Sequence, residues 1–290
     1  MDTTFRTIVE PLKGRQGLVS HDAPVVLLGS CFTDNVGECL VRGGFDAKVN
    51  PCGTLYNPAS IASALLDLLY ERPYTSDDLF EHEGLWHSWN HHSRFSDADP
   101  DVVVERINTS HAEATRALSK ASALFITFGT SWIFRLAEDG RVVANCHKKP
   151  AAMFRREMLT PQKIYGLWKK MLRELQARYP DLTTVFTVSP IRHLADGAHG
   201  NQASKATLLL AIDQLTQEFG DRALYFPSYE IMMDDLRDYR FYAADMTHPS
   251  PVAVEYIYDI FCRSFMTPAT VARALEAARA ARRAAHRPLH

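Results

Sequence analysis

Pro24-Val25-Val26-Leu27-Leu28-Gly29-Ser30-Cys31-Phe32-Thr33 is the stretch that decides the fold. A short run of Val and Leu with no polar break reads as a strand buried on both faces, as at the centre of a parallel sheet. Gly29 then permits a sharp turn and a close backbone approach that a side chain would block. Ser30 follows at the N-terminal side of a helical pattern over Asp34–Val41. In that place its hydroxyl reads either as a helix N-cap or as a nucleophile, with its own N–H and the helix dipole turned toward a developing oxyanion.

Working outward, Phe45–Val49, Leu124–Phe128, Thr184–Val188 and Ala223–Phe226 read as further core strands. Helical patterns over Ala59–Tyr70, Val102–Ala121, Pro161–Tyr179 and Ala203–Phe219 lie between them. Strands alternating with helices predict a doubly wound α/β protein, a three-layer α/β/α sandwich around a parallel sheet. Such sheets bind ligands beyond the carboxyl ends of their strands, which is where Ser30 falls. Two stretches break the rhythm. Residues 71–100 carry Trp86, Trp89, His82, His87, His91 and His92, and read as a long excursion over one edge of the site, a lid with aromatic contacts to substrate. Ile133–Leu136 and Arg141–Ala144 flank the turn dipeptide Asp139-Gly140 and predict a β-hairpin within about 132–145. The expected organisation is one domain over 1–265, followed by an Ala/Arg-rich helix or tail over 266–290, in which Val271–Arg287 holds five arginines against Glu276.

The chain has 290 residues, 46% apolar and 23% charged, with a formal net charge of −2, the balance of an ordinary globular protein. No global field argues for nucleic acid or an acidic membrane as partner, and no apolar run is long enough to span a bilayer. The start, Met1-Asp2-Thr3-Thr4-Phe5, has no secretory pattern. The five cysteines (Cys31, Cys39, Cys52, Cys146, Cys262) are scattered, which fits free thiols in a reducing cytoplasm. No dinucleotide-binding or phosphate-loop glycine pattern is present. His82, His87, His91 and His92 lack the spacing of a zinc-protease helix, so no metal and no organic cofactor are expected.

Far downstream, Asp245-Met246-Thr247-His248 precedes Pro249-Ser250-Pro251, which opens a helix through Tyr256 and Phe261. An acid and an imidazole at this spacing, late in the chain, combine with the early serine into the parts of a serine hydrolase. His248 takes the hydroxyl proton and Asp245 fixes the imidazole. Cys31 is a second candidate nucleophile, but on a helix starting here its side chain is expected to point away from the site. Asn57-Pro58 reads as a cap for the helix that follows, or as an oxyanion or substrate contact. Ser189-Pro190-Ile191-Arg192-His193 follows the fourth strand, where Arg192 suits a carboxylate or phosphate on the substrate. Asn145-Cys146-His147-Lys148 ends the hairpin, either as a solvated turn or as a hydrogen-bonding wall. Trp132 and His193 complete the candidate substrate contacts.

Gly29-Ser30-Cys31-Phe32, Gly53-Thr54-Leu55-Tyr56-Asn57-Pro58, Phe128-Gly129-Thr130, Ser189-Pro190 and Asp245-x-x-His248 together resemble the GSCFA-domain family, which is similar to the SGNH (GDSL-like) hydrolases. The likeness runs from about residue 20 to residue 265. Thr33 stands where the family usually has Ala. The resemblance implies strand order 2-1-3-4-5, with Ser30 as nucleophile, His248 as base and Asp245 as its orienting carboxylate. It also implies an oxyanion hole from the N–H groups of Ser30 and Gly53 and a third donor. At the third position the wider group carries an asparagine, whereas here Gly129 is followed by Thr130; Thr130, a nearby amide or Asn57 would substitute. The implied activity is an ester hydrolase forming an acyl-Ser30 intermediate, on a small or carbohydrate acyl ester. The alternatives are acyl transfer to a glycan or envelope precursor, and a binding module that has kept the fold without the catalysis.

Overall fold

A computed structural model describes residues 6–285. In chain order, β1 (Val25–Gly29), α1 (Cys31–Arg42), β2 (Ala47–Val49) and α2 (Pro58–Leu69) form the first half-turn of the winding. A hairpin of β3 (Leu79–His82) and β4 (Leu85–Ser88) follows, then α3 (Pro100–Leu118) and β5 (Ala123–Phe128). Next come β6 (Trp132–Leu136), β7 (Val142–Val143) and β8 (Phe154–Met158), then α4 (Pro161–Arg178), β9 (Thr183–Val188), α5 (Gly197–Phe219) and β10 (Ala223–Tyr225). A short α6 (Ser228–Glu230) runs into a π-helical turn over Ile231–Leu236, and α7 (Pro251–Phe265) and α8 (Pro268–Ala285) close the chain.

The central sheet has five strands in the order β10-β9-β5-β1-β2, with every neighbouring pair parallel. Counting only these strands, this is the 2-1-3-4-5 order expected above. Alternation along each strand splits the core in two, because successive side chains leave a strand on opposite faces. Val26, Leu28, Leu124, Ile126, Phe128 and Phe186 pack on one face against α2, α4 and α5. Val25, Leu27, Phe125, Val185 and Leu224 pack on the other against α1 and α7. Both faces are covered, which is why these strands read as unbroken apolar runs. Four helices start in the same way. Asn57, Asp99, Thr160 and Ser250 each accept a backbone N–H from the first turn, and each is followed by a proline that has no N–H to leave unpaired.

Residues 71–100 do leave the sheet. They form the β3–β4 hairpin, turned at Glu83 and Gly84 with positive φ, and two short 3₁₀ turns. The second hairpin is larger than expected: β6 pairs with β7 on one side and with β8 on the other, making a three-stranded antiparallel sheet. Phe154-Arg155-Arg156-Glu157-Met158 was not read as a strand because its charged residues hide the alternation. Helix α5 begins at Gly197, and its first turn is exposed over 197–199. Helix α8 lies against α1, with Ala274 buried beside Gly43; residues 286–290 of the expected tail lie outside the described residues. No helix among the described residues is long and apolar enough to cross a membrane.

Gly29 closes β1 at φ +150°, and an added Cβ would lie 2.3 Å from the Thr127 carbonyl oxygen of the neighbouring strand. Backbone cannot yield there as a flexible side chain can. Gly29→Ala is expected to lower unfolding free energy by about 1–3 kcal/mol or more, read as a fall in the urea midpoint at unchanged slope.

Candidate active site

Four loops meet at the carboxyl edge of the sheet, and backbone hydrogen bonds stitch them together. Asn50, buried and with φ +46°, donates its N–H to Leu27 O at 2.8 Å. Its side-chain oxygen accepts the Gly29 N–H at 2.8 Å, and its amide nitrogen donates to Asp34 Oδ1 at 2.7 Å. Leu55 N–H reaches Gly29 O at 2.9 Å, while Tyr56 O accepts the N–H groups of Gly129 and Thr130 at 2.8 and 2.9 Å. Arg192 N–H donates to Thr247 O at 3.1 Å and so ties in the last loop. Lys205, wholly buried on α5, donates Nζ to Gly129 O and to Ser189 O, both at 2.7 Å. It clamps the ends of β5 and β9 from below.

Within this frame the structure brings His248 to Cys31. Cys31 Sγ lies 3.9 Å from His248 Nε2. His248 Nδ1 lies 2.5 Å from Asp245 Oδ2, and that contact assigns the imidazole proton to Nδ1 and leaves the Nε2 lone pair facing the thiol. Asp245 also accepts the backbone N–H groups of Thr247 and His248 at 2.9 Å each, in a tight turn around Met246 at φ +59°. These bonds, the His248 N–H first, hold its carboxyl well below the usual carboxylate range. Ser30 Oγ, by contrast, is buried, makes no hydrogen bond and caps nothing. No hydrogen bond joins Ser30 Oγ to His248. Ser30 still has extended backbone, at φ −70° and ψ 174°, and its side chain turns inward toward Gly129. Cys31, one residue on and first in the helix, lines the cavity.

A cavity of about 570 Å³ opens over Cys31 and His248. Asn57, Thr130, Trp132, Arg192 and His193 all line it. Asn57 Oδ1 caps α2 by accepting the Ser60 N–H at 2.8 Å. Arg156 from β8 lies over the Trp132 ring at 4.1 Å and pairs with Asp196, building an outer wall that the sequence did not reveal. Two candidates fall elsewhere. Gly53 donates its N–H to Asn50 O at 2.7 Å and faces His92, so that amide is not free for an oxyanion. His147 is buried among Phe80, His87 and Trp89 with Nε2 on Ser88 O at 2.8 Å, because a turn with positive φ at His147 and Lys148 swings it inward. The Ser30 N–H, at 3.3 Å from Thr127 O, is likewise engaged. A larger depression of about 780 Å³, between Arg6 and Asp234–Phe241, holds none of these groups.

Proton accounting singles out Thr130. Ser204 Oγ accepts from Ser131 N–H at 2.8 Å and from the Ser131 hydroxyl at 3.1 Å, so its own proton goes to Thr130 Oγ1 at 3.0 Å. Thr130 Oγ1 also accepts the Trp132 N–H at 3.2 Å. With both lone pairs taken, the Thr130 hydroxyl proton remains for the cavity. Burial pushes the Cys31 thiol up, with hydrogen bonding from Tyr56 opposing it. The Tyr56 hydroxyl is pushed up to about 12, first by burial and then by Cys31. His193, whose Nε2 is buried and unpartnered, is pulled down to about 4 by burial and then by Lys205. Burial pulls Lys205 down to about 7; a neutral amine still has two N–H groups, enough for its two carbonyls. Away from the cavity, Cys52, His91 and His111 converge in a buried cluster whose members are too far apart in sequence to form a motif.

A doubly wound α/β sheet with a Cys–His–Asp set at its carboxyl edge is thus the class that fold and site define. The chain belongs to the GSCFA family, whose pattern it matches over residues 24–261. Among curated proteins nothing matches it. Several solved structures are similar. A carbohydrate esterase family 2 enzyme with its carbohydrate-binding domain, from Corynascus thermopiles (Myceliophthora fergusii), is 13% identical with TM-score 0.46, over 89% of this chain and 68% of that one. The acetyl xylan esterase Est2A of the rumen bacterium Butyrivibrio proteoclasticus is 12% identical with TM-score 0.41, over 84% and 65%. A carbohydrate esterase family 3 protein from Talaromyces cellulolyticus is 10% identical with TM-score 0.39, over 82% and 94%.

Lys205→Met would strand two buried carbonyls and is expected to cost about 2–4 kcal/mol. The sign of its pH dependence follows from the lowered lysine. The folded state disfavours the ammonium, so the wild-type protein carries that cost in full below about pH 7 and sheds it as pH rises toward the ordinary lysine value of 10.5. The stability gap between wild type and variant should therefore widen from pH 7 to pH 10 in urea titrations.

Proposed function

We propose that this protein is a cysteine-dependent acyl hydrolase of SGNH type, acting on small O-acyl esters such as acetylated carbohydrate. The observation that carries the reading is the line from Asp245 Oδ2 through His248, 2.5 Å at Nδ1, to Cys31 Sγ, 3.9 Å from Nε2. Burial keeps Cys31 a thiol at rest, so attack needs a base at the moment of reaction rather than a standing thiolate. His248 Nε2 takes the thiol proton as Sγ bonds to the ester carbonyl carbon. Asp245 steadies the imidazolium. The C–O bond to the alcohol then breaks, His248 returns its proton to the leaving alkoxide, and an acyl-Cys31 thioester remains. Water, deprotonated by the same imidazole, releases the carboxylic acid and restores the thiol.

The oxyanion formed on the way takes hydrogen bonds from the Cys31 N–H, which starts α1 and carries its dipole, and from the Thr130 hydroxyl. Thr130 thus serves where the wider group uses an asparagine. Gly53 has no part in this scheme. Trp132, Phe134, Asn57 and Arg192 in the cavity wall suit a compact acyl group carried on a polar alcohol.

Cys31→Ala is expected to lower p-nitrophenyl acetate turnover by about 10³-fold or more, with Ser30→Ala staying within about tenfold of wild type. The opposite pattern, loss in Ser30→Ala with activity kept in Cys31→Ala, would restore the serine and overturn the thiol reading. Thr130→Val should reduce kcat by about 10²-fold with KM little changed, because its hydrogen bond belongs to the oxyanion.

A further inference from the structure

The cluster of Cys52, His91 and His111 plays no part in the reaction above, and it is built unlike ordinary core. Cys52 comes from the turn after β2, His91 from the loop after β4, and His111 from the middle of α3. All three are buried, and their ligating atoms lie within 4.8 Å of one another. His91 Nε2 is 3.0 Å from His111 Nε2, and Cys52 Sγ is 3.3 Å from that same nitrogen. Three lone-pair donors therefore converge on one point in a dry interior. His111 Nε2 faces both other atoms, and a single proton there reaches only one of them, so the three atoms are set closer to a shared ligand than to a paired hydrogen-bond network.

We propose that Cys52, His91 and His111 form a binding site for a thiophilic divalent cation of the zinc class. One thiolate and two imidazole nitrogens are a donor set that such ions prefer over calcium or magnesium. A tetrahedral zinc, about 2.0–2.1 Å from nitrogen and 2.3 Å from sulfur, sets its ligand atoms about 3.3–3.7 Å apart. The observed 3.0 and 3.3 Å need open only by a few tenths of an ångström. Binding replaces the Cys52 S–H bond by a metal–sulfur bond and releases the proton to solvent. The outer shell is partly in place: Ser88 Oγ lies 2.9 Å from His91 Nδ1, which directs Nε2 at the cluster. The Tyr74 ring stands edge-on to both imidazoles, at 4.8 and 5.4 Å between centroids, and closes one side.

The site would pin the histidine-rich excursion to the body of the protein. His92, next to His91, lines the reaction cavity, and the turn holding Cys52 continues into Thr54, which lines it too. An added Cβ on Gly53 would fall 2.2 Å from His92 Cβ, so these two segments are already in close contact. The ion would lock one wall of the cavity without touching substrate. No local motif marks it, because His111 is 20 residues from His91 and 59 from Cys52.

The test uses the full chain, purified under reducing conditions, stripped with a chelator and reloaded with Zn²⁺ or Co²⁺ alone. About one equivalent of zinc per chain is expected after desalting, with a rise in Tm. The cobalt form should show a thiolate-to-metal charge-transfer band. Cys52→Ala and His111→Gln should each weaken binding by about tenfold or more and abolish the band or the Tm response. Cys31→Ala should keep full zinc content, which separates this site from the proposed nucleophile whatever the fate of that assignment. Should either ligand variant fail to fold, the band and stoichiometry of the wild-type protein decide. A folded wild type with neither bound zinc nor the cobalt band, or retention of both in folded Cys52→Ala and His111→Gln, would overturn the proposal.

Discussion

The Asn50 side chain holds the end of β1 in place, and the position of the site depends on it. Its carboxamide takes the Gly29 N–H on one side and gives a hydrogen to Asp34 on the other. A backbone N–H at the end of a buried strand must find a partner, because leaving one unpaired costs as much as a lost hydrogen bond. Here the partner is a side chain from the next strand's exit loop. The bond therefore fixes two loops against each other as well as closing the strand. With Asn50 at positive φ, the turn through Gly53 and Thr54 has one course, and Thr54 reaches Asp34 as well.

From that fixed point the direction of every reacting group follows. The chain leaves β1 extended at Ser30 and enters α1 at Cys31, so one side chain sinks into the protein and the next rises into the cavity. Across the cavity, the Asp245 carboxylate organises its own turn through two backbone N–H groups and still has an oxygen for His248 Nδ1. Lys205 and Tyr56 complete the frame from beneath, each using backbone carbonyls as the points of attachment. Cys31 thus starts a helix, while Asp245 and His248 share a short loop held by its own hydrogen bonds.

Much of the architecture was legible without coordinates. Strands buried on both faces announce themselves as unbroken runs of Val, Leu, Ile and Phe, and four helices carry a capping residue followed by proline. The pairing of Asp245 with His248 was legible too, because three residues of loop bring an acid and an imidazole together locally. Local direction was not legible. Ser30 and Cys31 both fit a strand-to-helix turn, and composition does not say which of two adjacent side chains faces the cavity. Strand β8 escaped notice for a related reason: Arg155, Arg156 and Glu157 read as solvated charge, although Arg156 is drawn in over Trp132.

By itself, then, the sequence determined the alternation of strand and helix, the capping of the helices, the parallel sheet and the approximate place of the site, since each follows from contacts within a few residues. Tertiary structure alone decided that the Cys31 thiol lies beside His248 Nε2, that Thr130 borders the cavity and that the Gly53 amide is engaged by Asn50. It alone gathered Cys52, His91 and His111 from three separate elements. Those outcomes depend on which lone pair or proton is already occupied by a group far off in the chain, and no local pattern records that.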